Sequence, residues 1–294
     1  MSWPNFLIIG AQKAGTSSLY EYLREHPQVY MSPTKEPGYF KFGGARSDWV
    51  LPEDVIDRDE YLRLFDGVRD EIAVGEASTG YLNHPMAPSR IREAVPDAKL
   101  IAVLRNPVDR AFSAYSMRVA SGEEARSFPD AIAPELDPDT VRSTKGQWKY
   151  LRNGFYGRYL TRYFDLFPAH QLRIFLYEDL SRDPRQLVCE VFDFLAVDPS
   201  FVPDLATHHN TSSYTVKSAS LDKVVRRFPG KDLARRVVPT EVWVGARRSV
   251  RRRNSRIPEF PAEVRRRLVD FFRDDILLTE QLIARDLSAW TAER

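Results

Sequence analysis

The sequence predicts an α/β fold in which a central parallel sheet is flanked by helices. Apolar blocks of strand length alternate with amphipathic stretches of helix length, which is the pattern of strand-helix-strand units. The chain has 294 residues, of which 43% are hydrophobic, so it can bury one large or two modest globular cores. These observations exclude a disordered or fibrous chain.

Four short apolar segments are the predicted strands, because each has strand length and is followed by polar residues, glycine or a helical pattern. They are residues 6–9, 72–75, 99–104 and 172–176. Of these, residues 99–104 form the most convincing buried strand. Residues 6–9 are fully apolar, which is typical of a strand in a parallel sheet that is covered on both faces.

Apolar residues with helical spacing predict the helices between and after these strands. In the first predicted helix, Leu19, Tyr22 and Leu23 lie on one face, and the helix ends near Pro27. A second helix begins at Pro107. The remaining helices are predicted at 156–167, around 188–195, and at the end of the chain around 261–285. Residues 121–148 and 198–217 are predicted to be long loops that border the site.

The chain is expected to be one soluble, cytoplasmic domain over residues 1–294. No run approaches the roughly 18 consecutive apolar residues that span a bilayer, and the first residues lack the basic segment of a secretion signal. Cys189 is the only cysteine, which excludes a disulfide framework and a zinc site built on several thiolates.

Basic residues are concentrated near the carboxyl terminus, although the formal net charge is only +2. The densest stretch, residues 247–256, lies in a predicted basic loop around 245–258. It could bind nucleic acid or another acidic polymer, or it could be a solvated loop. No aromatic residue interleaves its arginines as a stacking platform, so no nucleic-acid partner is expected.

A glycine loop follows the first predicted strand. Gly10-Ala11-Gln12-Lys13-Ala14-Gly15-Thr16-Ser17 has two glycines in the spacing of a nucleotide-binding P-loop, but Thr16 occupies the usual lysine position and Lys13 lies inside the loop. Backbone N–H groups and a helix N-terminus still predict an anion site. The alternative is an ordinary strand-to-helix turn with a surface lysine.

Arg105 is the first polar residue after the predicted strand 99–104. A nucleoside triphosphatase would carry a magnesium-binding aspartate at the end of such a strand, whereas a guanidinium suits direct, charge-assisted binding of a phosphate. Ser113, within the following helix, could add a hydroxyl donor. The alternative for Arg105 is a surface ion pair, for example with Asp109.

These motifs resemble those of sulfotransferases that use 3′-phosphoadenosine-5′-phosphosulfate (PAPS). Residues 6–19 are similar to the loop that binds the 5′-phosphosulfate in that family, and residues 104–113 to its 3′-phosphate motif. With residues 35–40, 75–81 and 156–184, the resemblance covers about two-thirds of the chain. It is closest to the glycan branch, which includes heparan sulfate sulfotransferases and bacterial relatives.

The resemblance implies a P-loop-like fold, PAPS as sulfuryl donor, 3′-phosphoadenosine-5′-phosphate (PAP) as product and no metal. It implies that Lys13 stabilises the leaving group and that Glu36 is the general base. Cofactor-binding roles fall to Gly15, Thr16, Ser17, Ser18, Arg105 and Ser113, with Tyr214 and Lys217 as weaker candidates. Ala77 stands where many heparan sulfate enzymes have lysine, which puts a strongly anionic acceptor in doubt.

Each role has an alternative. Glu36 could simply form a surface charge pair with Lys35, and Glu76 is expected to be a structural hydrogen-bond acceptor in the site wall. Rival bases, since histidine titrates near neutral pH, are His84, His208 and His209. Side chains that could stack on adenine or shape the acceptor pocket, unless they belong to the core, are Tyr39, Phe40, Tyr81 and Trp148.

The leading hypothesis is transfer of a sulfuryl group to a hydroxyl of a carbohydrate or secondary metabolite. A P-loop kinase, which would need magnesium and a nucleoside triphosphate, is the first alternative. A module that binds nucleotide or polyanion without catalysis is the second.

Overall fold

The computed structural model describes residues 3–44, 54–121, 123–137, 149–206 and 260–292, with the backbone of 215–216 and 255–256. Several predicted site residues lie outside these described residues. They are Trp148, His208, His209, Tyr214, Lys217 and, apart from the backbone of 255–256, the basic loop around 245–258.

A five-stranded, all-parallel sheet forms the centre of the fold, in the order β2-β3-β1-β4-β5. The strands are β1 (Phe6–Gly10), β2 (Val29–Met31), β3 (Ala73–Ala77), β4 (Lys99–Leu104) and β5 (Leu172–Leu176). Every residue of β1 and β3 is buried, as expected for a sheet covered on both faces. The predicted fold class is confirmed.

The helices of the described residues connect and cover these strands. They are α1 (Thr16–Arg24), α2 (Tyr39–Phe42), α3 (Arg58–Arg63), α4 (Ala87–Ala94), α5 (Pro107–Ser121), α6 (Phe128–Leu136), α7 (Tyr156–Phe164), α8 (Tyr177–Arg182), α9 (Pro184–Leu195), α10 (Ala262–Ile283) and α11 (Ser288–Thr291). A separate antiparallel pair joins β6 (Thr215–Val216) to β7 (Ser255–Arg256).

Strand order decides where a site can form. The chain builds β2 and β3 on one side of β1 and then crosses to β4 and β5 on the other. In open parallel sheets, ligands bind beyond the carboxyl ends of the strands where the order reverses in this way. The segments that follow β1, β3 and β4 are therefore the first place to look for a site.

Several elements, among them α6 and β2, differ from the sequence-based expectation. Residues 121–148 are not only loop, because α6 lies within them: the Ser127 side chain accepts the Asp130 N–H as an N-cap, and Pro129 stands in the first turn, where it costs no hydrogen bond. Strand β2 was not predicted, since three residues are too few to show a period.

The chain divides into two compact units. The first comprises Met1–Arg110, Arg152–Asn210 and Leu268–Arg294 and contains the whole five-stranded sheet; the second comprises Ala111–Leu151 and Thr211–Arg267. A stacked contact between Phe112 and Phe260, with ring centroids 4.3 Å apart, belongs to the second unit. That the chain is a single domain stays a prediction.

No helix within the described part of the chain combines the length and apolar character needed to cross a bilayer. The predicted cytoplasmic location stays a prediction.

Candidate active site

The loop between β1 and α1 is an anion cradle in its geometry. Gly15 is the N-cap of α1 with a φ of 90°, no side chain caps the helix, and its first turn holds no acidic residue. The Ala11 N–H donates to the carbonyl of Val103 at 2.8 Å, which ties the loop to β4. The positive end of the helix dipole therefore lies beside the loop, with Thr16, Ser17 and Ser18 in the first turn of α1.

Gly15 is required by space as well as by its left-handed backbone. A Cβ atom at this position would lie 2.5 Å from Leu180 Cδ2 and 3.2 Å from Tyr177 Cδ2. Helix α8 thus closes over the outside of the loop. Any larger residue would displace either α8 or the start of α1.

Arg105 directly follows β4 and is half-buried. Its guanidinium lies 4.6 Å from the centroid of the Tyr177 ring, a distance at which a cation and an aromatic face attract each other. The hydroxyl of Tyr156 donates to the Arg105 carbonyl at 3.0 Å. Both the side chain and the main chain of Arg105 are therefore held by described neighbours.

The two predicted anion-binding elements meet. Arg105 Nη1 donates to the main-chain carbonyl of Lys13 at 3.2 Å, although 92 positions separate the two residues in sequence. Lys13 is half-buried and has a φ of 70°, so the loop turns sharply at this residue. Sequence reasoning assigned both residues to one ligand, and the structure brings them together.

The other predicted cofactor residues are less fully described. Ser113 is buried in α5 and belongs to the second unit. Tyr214 and Lys217 lie outside the described residues. Their roles stay predictions.

Glu36 stands at a sharp turn beside the end of β3. Its φ is 63°, and its main-chain N–H donates to the carbonyl of Ala77 at 2.8 Å. Thr79 donates its N–H to Glu36 Oε2 at 2.8 Å and its hydroxyl to Oε1 at 3.0 Å. These bonds fix the carboxylate of Glu36 in one orientation.

Lys35 pairs with the same carboxylate. Its Nζ lies 2.9 Å from Glu36 Oε1, and the side chain of Glu36 is 41% exposed. The charge pair between Lys35 and Glu36, which was the alternative to a catalytic role for Glu36, therefore exists. It coexists with the two hydrogen bonds from Thr79, which a surface pair does not need.

Glu76 is a second carboxyl in this region and is fully buried in β3. Its Oε1 accepts the hydroxyl of Tyr81 at 2.6 Å and that of Tyr61 at 3.3 Å. Burial raises the pKa of Glu76 to about 7, and the negative charge of Glu36 acts in the same direction. Burial also raises the pKa values of Tyr61 and Tyr81 well above their usual range.

Cationic side chains line the segment beyond Glu36. Lys41 forms an ion pair with the buried carboxylate of Asp54, and the guanidinium of Arg90 donates to the Lys41 carbonyl. Ala77, at the position of the family lysine, is fully buried. Lys35 and Lys41 thus place positive charge close to Glu36 in sequence, although Ala77 replaces the lysine that many heparan sulfate enzymes have.

The rival base and the aromatic candidates have other described partners. His84 Nδ1 accepts the Met86 N–H at 3.3 Å, and its ring lies against Phe42. Tyr39, Phe40 and Tyr81 are buried and pack with one another as core aromatics.

Sequence reasoning missed two residues with direct roles in this arrangement. Thr79 orients Glu36, and Tyr177 lies against Arg105. Thr79 stands in the Gly75–Tyr81 block that carries the resemblance, so the block itself was the available signal. For Tyr177, no local pattern shows that a ring at the start of α8 reaches the end of β4.

The donor set suits an anion. A guanidinium, an ammonium, hydroxyls and a helix N-terminus surround the loop, and all of them favour negative charge. Within the described residues, no group of three or more His, Cys, Asp or Glu side chains is placed to hold a metal ion.

Comparison with known proteins gives consistent matches. Residues 4–275 match the family model described as the sulfotransferase domain. The crystal structure of a sulfotransferase from Alicyclobacillus acidocaldarius is 35% identical, with a TM-score of 0.76, and the match covers 99% of this chain and 100% of that one.

Two human relatives are named as enzymes of heparan sulfate. Bifunctional heparan sulfate N-deacetylase/N-sulfotransferase 3 is 32% identical over 211 residues, and heparan sulfate glucosamine 3-O-sulfotransferase 6 is 33% identical over 198. The matches cover 67% and 66% of this chain but only 23% and 53% of those relatives. The chain thus spans about a quarter and about half of their lengths.

Proposed function

Because the chain belongs to the sulfotransferase domain family, we propose that it transfers a sulfuryl group from PAPS to a hydroxyl of a carbohydrate or secondary metabolite. The observation that carries this proposal is the hydrogen bond from Arg105 Nη1 to the Lys13 carbonyl at 3.2 Å. This bond brings the glycine loop and the cation after β4 together in one proposed anion-binding region. The positive charge of that region would suit a nucleotide that carries phosphate groups at two positions.

The first turn of α1 would bind the 5′-phosphosulfate end of the donor. Gly15 leaves the end of the helix open, and the backbone N–H groups and hydroxyls of Thr16, Ser17 and Ser18 supply donors without opposing charge. Arg105 would bind the 3′-phosphate, because a guanidinium matches phosphate oxygens in charge and shape. That Ser113, Tyr214 and Lys217 also bind the donor is implied by the family resemblance alone.

In the transfer, a bond forms from the acceptor oxygen to sulfur, while the bond from sulfur to the bridging phosphate oxygen breaks and its electron pair passes to that oxygen. Lys13 would stabilise the charge that develops there, as preorganised cations and donors do in other transition states. Glu36 would accept the hydroxyl proton of the acceptor, which contributes typically ~10²–10⁴-fold for a well-placed base.

The environment of Glu36 supports this role. Thr79 donates two hydrogen bonds to the carboxylate and Lys35 forms an ion pair with it, and these contacts hold the carboxylate in one orientation. Glu76 is fully buried, has a raised pKa and accepts the hydroxyls of Tyr81 and Tyr61. Glu36 is therefore the better candidate for the base.

The proposed acceptor atom is the oxygen of a hydroxyl group. Relatives named for O-sulfation and for N-sulfation both match the chain, so an amine is the competing acceptor class. A hydroxyl needs a base during attack, and the oriented Glu36 carboxylate supplies one. This is the reason for preferring O-sulfation.

A turnover screen tests the proposal. Protein, PAPS and a panel of sugars, phenols, alcohols and amino sugars are incubated after treatment with EDTA, and products are analysed by mass spectrometry for the gain of one sulfo group. We expect a sulfated hydroxyl product and release of PAP that persist without metal. A kinase would require magnesium and ATP, and a binding module would bind PAP without turnover. Sulfation of amines alone would contradict the hydroxyl assignment.

A further inference from the structure

The carboxyl-terminal helix α11 contacts the turn that follows β4. Trp290 is 3% exposed, and its main-chain carbonyl accepts the side-chain amide of Asn106 at 3.1 Å. Its indole Nε1 donates to Glu178 Oε1 at 3.0 Å. A residue close to the end of the chain is thus fixed to two elements at the carboxyl edge of the sheet.

The side chain of Asn106 forms hydrogen bonds through both its oxygen and its nitrogen. Its Oδ1 accepts the Val108 N–H at 2.9 Å and so caps the start of α5, while its Nδ2 donates to Trp290. Its main-chain N–H points to Glu178 Oε1 at 3.4 Å. We call Asn106, Glu178 and Trp290 the C-terminal latch.

The latch adjoins Arg105 from two directions. Asn106 is the next residue in the chain, and Glu178 is next to Tyr177, whose ring lies 4.6 Å from the Arg105 guanidinium. The latch therefore fixes both the backbone from which Arg105 projects and the aromatic surface against which its side chain lies.

We propose that Trp290 is a positioning residue, which acts through the C-terminal latch to hold Arg105 in the geometry that receives the 3′-phosphate. The inference rests on the proposed function, because it assigns the ligand of Arg105 from it. A guanidinium that is already fixed loses less conformational entropy on binding than a mobile one. Loosening the latch should therefore weaken binding of the 3′-phosphate more than binding of the rest of the nucleotide.

The test compares two probes, PAP and adenosine 5′-phosphate, which differ by the 3′-phosphate. Trp290→Phe keeps an aromatic ring and removes the indole N–H that Glu178 accepts. We expect the dissociation constant for PAP to rise about 3- to 10-fold, the equivalent of one hydrogen bond, while that for adenosine 5′-phosphate changes little. The measurement is isothermal titration calorimetry of both ligands.

Arg285→Gln is the matched control. Arg285 lies in the same carboxyl-terminal segment and pairs with Asp179 of the same helix α8, at 2.5 Å on a partly exposed surface, but it contacts no latch residue among the bonds described above. The preference for PAP should be unchanged in this variant. A similar loss in Arg285→Gln would mean that the segment contributes only general packing.

Two further variants separate failure of the inference from failure of the proposed function. Arg105→Ala should remove the preference for PAP; if it does not, the assignment of Arg105 itself is wrong. If Arg105→Ala removes the preference for PAP but Trp290→Phe leaves it intact, the positioning role of Trp290 is wrong and the proposed function stands. This holds even if the melting temperature of Trp290→Phe is lower. Asn106→Ser, which can still cap α5 but cannot reach Trp290 with an amide, gives the same readout should Trp290→Phe not fold.

Discussion

Arg105 and Lys13 are joined by a hydrogen bond from the guanidinium of one to the main-chain carbonyl of the other, at 3.2 Å. The bond is possible because β1 and β4 are neighbouring parallel strands, with Ile8 opposite Ile101, so that the residues after each strand emerge at one edge. The charge of Arg105 is thereby fixed beside the N-terminus of α1.

Replacement of Lys13 should lower turnover by on the order of 10²–10³-fold and leave nucleotide binding largely in place. In Lys13→Ala the leaving phosphate oxygen loses its cation, and removal of one such electrostatic stabiliser costs on the order of 10²–10³ in rate. The turnover number and the dissociation constant for PAP are measured in parallel. Lys13→Arg, which keeps the charge, serves as the comparison; a near-normal rate in Lys13→Ala would take this residue out of the mechanism.

Glu36→Gln should depress the rate by roughly 10²–10⁴-fold, because the amide cannot accept the acceptor proton. PAP binding should be nearly unaffected, since the carboxylate faces the acceptor in this proposal. Steady-state kinetics and calorimetry check the two expectations.

Thr79→Val is the partner variant for Glu36. It removes the hydroxyl that donates to Oε1 at 3.0 Å but keeps the N–H that donates to Oε2, so about a 3- to 10-fold fall in rate is expected, the equivalent of one hydrogen bond. An unchanged rate in Glu36→Gln would direct attention to His84, His208 or His209.

Gly15→Ala should destabilise the protein and disable the phosphate loop. The left-handed backbone, with a φ of 90°, costs an alanine ~1–2 kcal/mol. The added methyl would also lie 2.5 Å from Leu180 Cδ2, so the total loss should exceed that of the backbone alone.

Gly44→Ala is the matched control for Gly15. Its φ is 84°, but among the described residues the nearest atom to an added Cβ is the Ile56 carbonyl oxygen, 4.0 Å away, so the backbone cost is expected to dominate. Urea unfolding of both variants gives the difference. Equal losses would show that α8 does not constrain the loop.

Glu76 should make stability depend on pH. Its pKa of about 7 in the folded protein lies above the ordinary value of 4.5, so the folded state binds more protons than the unfolded state between these values. The free energy of unfolding should therefore fall as pH rises through this window, by on the order of 3 kcal/mol for a shift of this size.

Glu76→Gln, which resembles the protonated carboxyl, provides the comparison for this pH effect. Gln cannot ionise but can still accept the Tyr81 hydroxyl, so the variant should lose the decline that Glu76 causes. Urea unfolding is measured at several pH values between 4.5 and 7. Identical pH dependence in both proteins would mean that Glu76 does not take up a proton on folding.

The sequence was informative wherever function or burial leaves a local pattern. Strand β4 matches its prediction at both ends because Lys99 and then five apolar residues precede Arg105. The glycine loop was predicted because strand, glycines and helix follow one another directly. The roles of Lys13 and Glu36 could be assigned only through the family resemblance, since a single lysine or glutamate has no sequence pattern of its own.

Contacts between distant segments could not be predicted. Thr79 meets Glu36 across 43 positions, and Asn106 meets Trp290 across 184. Such pairs depend on the order of strands in the sheet and on where the last helix packs, neither of which is encoded in a local period. The helix α6 was missed for a different reason, because Pro129 and Pro134 suggested loop.

The central claim is tested most directly by a crystal structure of the protein with PAP. The account predicts the 5′-phosphate on the N-terminus of α1, within hydrogen-bonding distance of Thr16 and Ser17, and the 3′-phosphate on the guanidinium of Arg105. Electron density for PAP at any other place, or with Arg105 turned away from the 3′-phosphate, would contradict it.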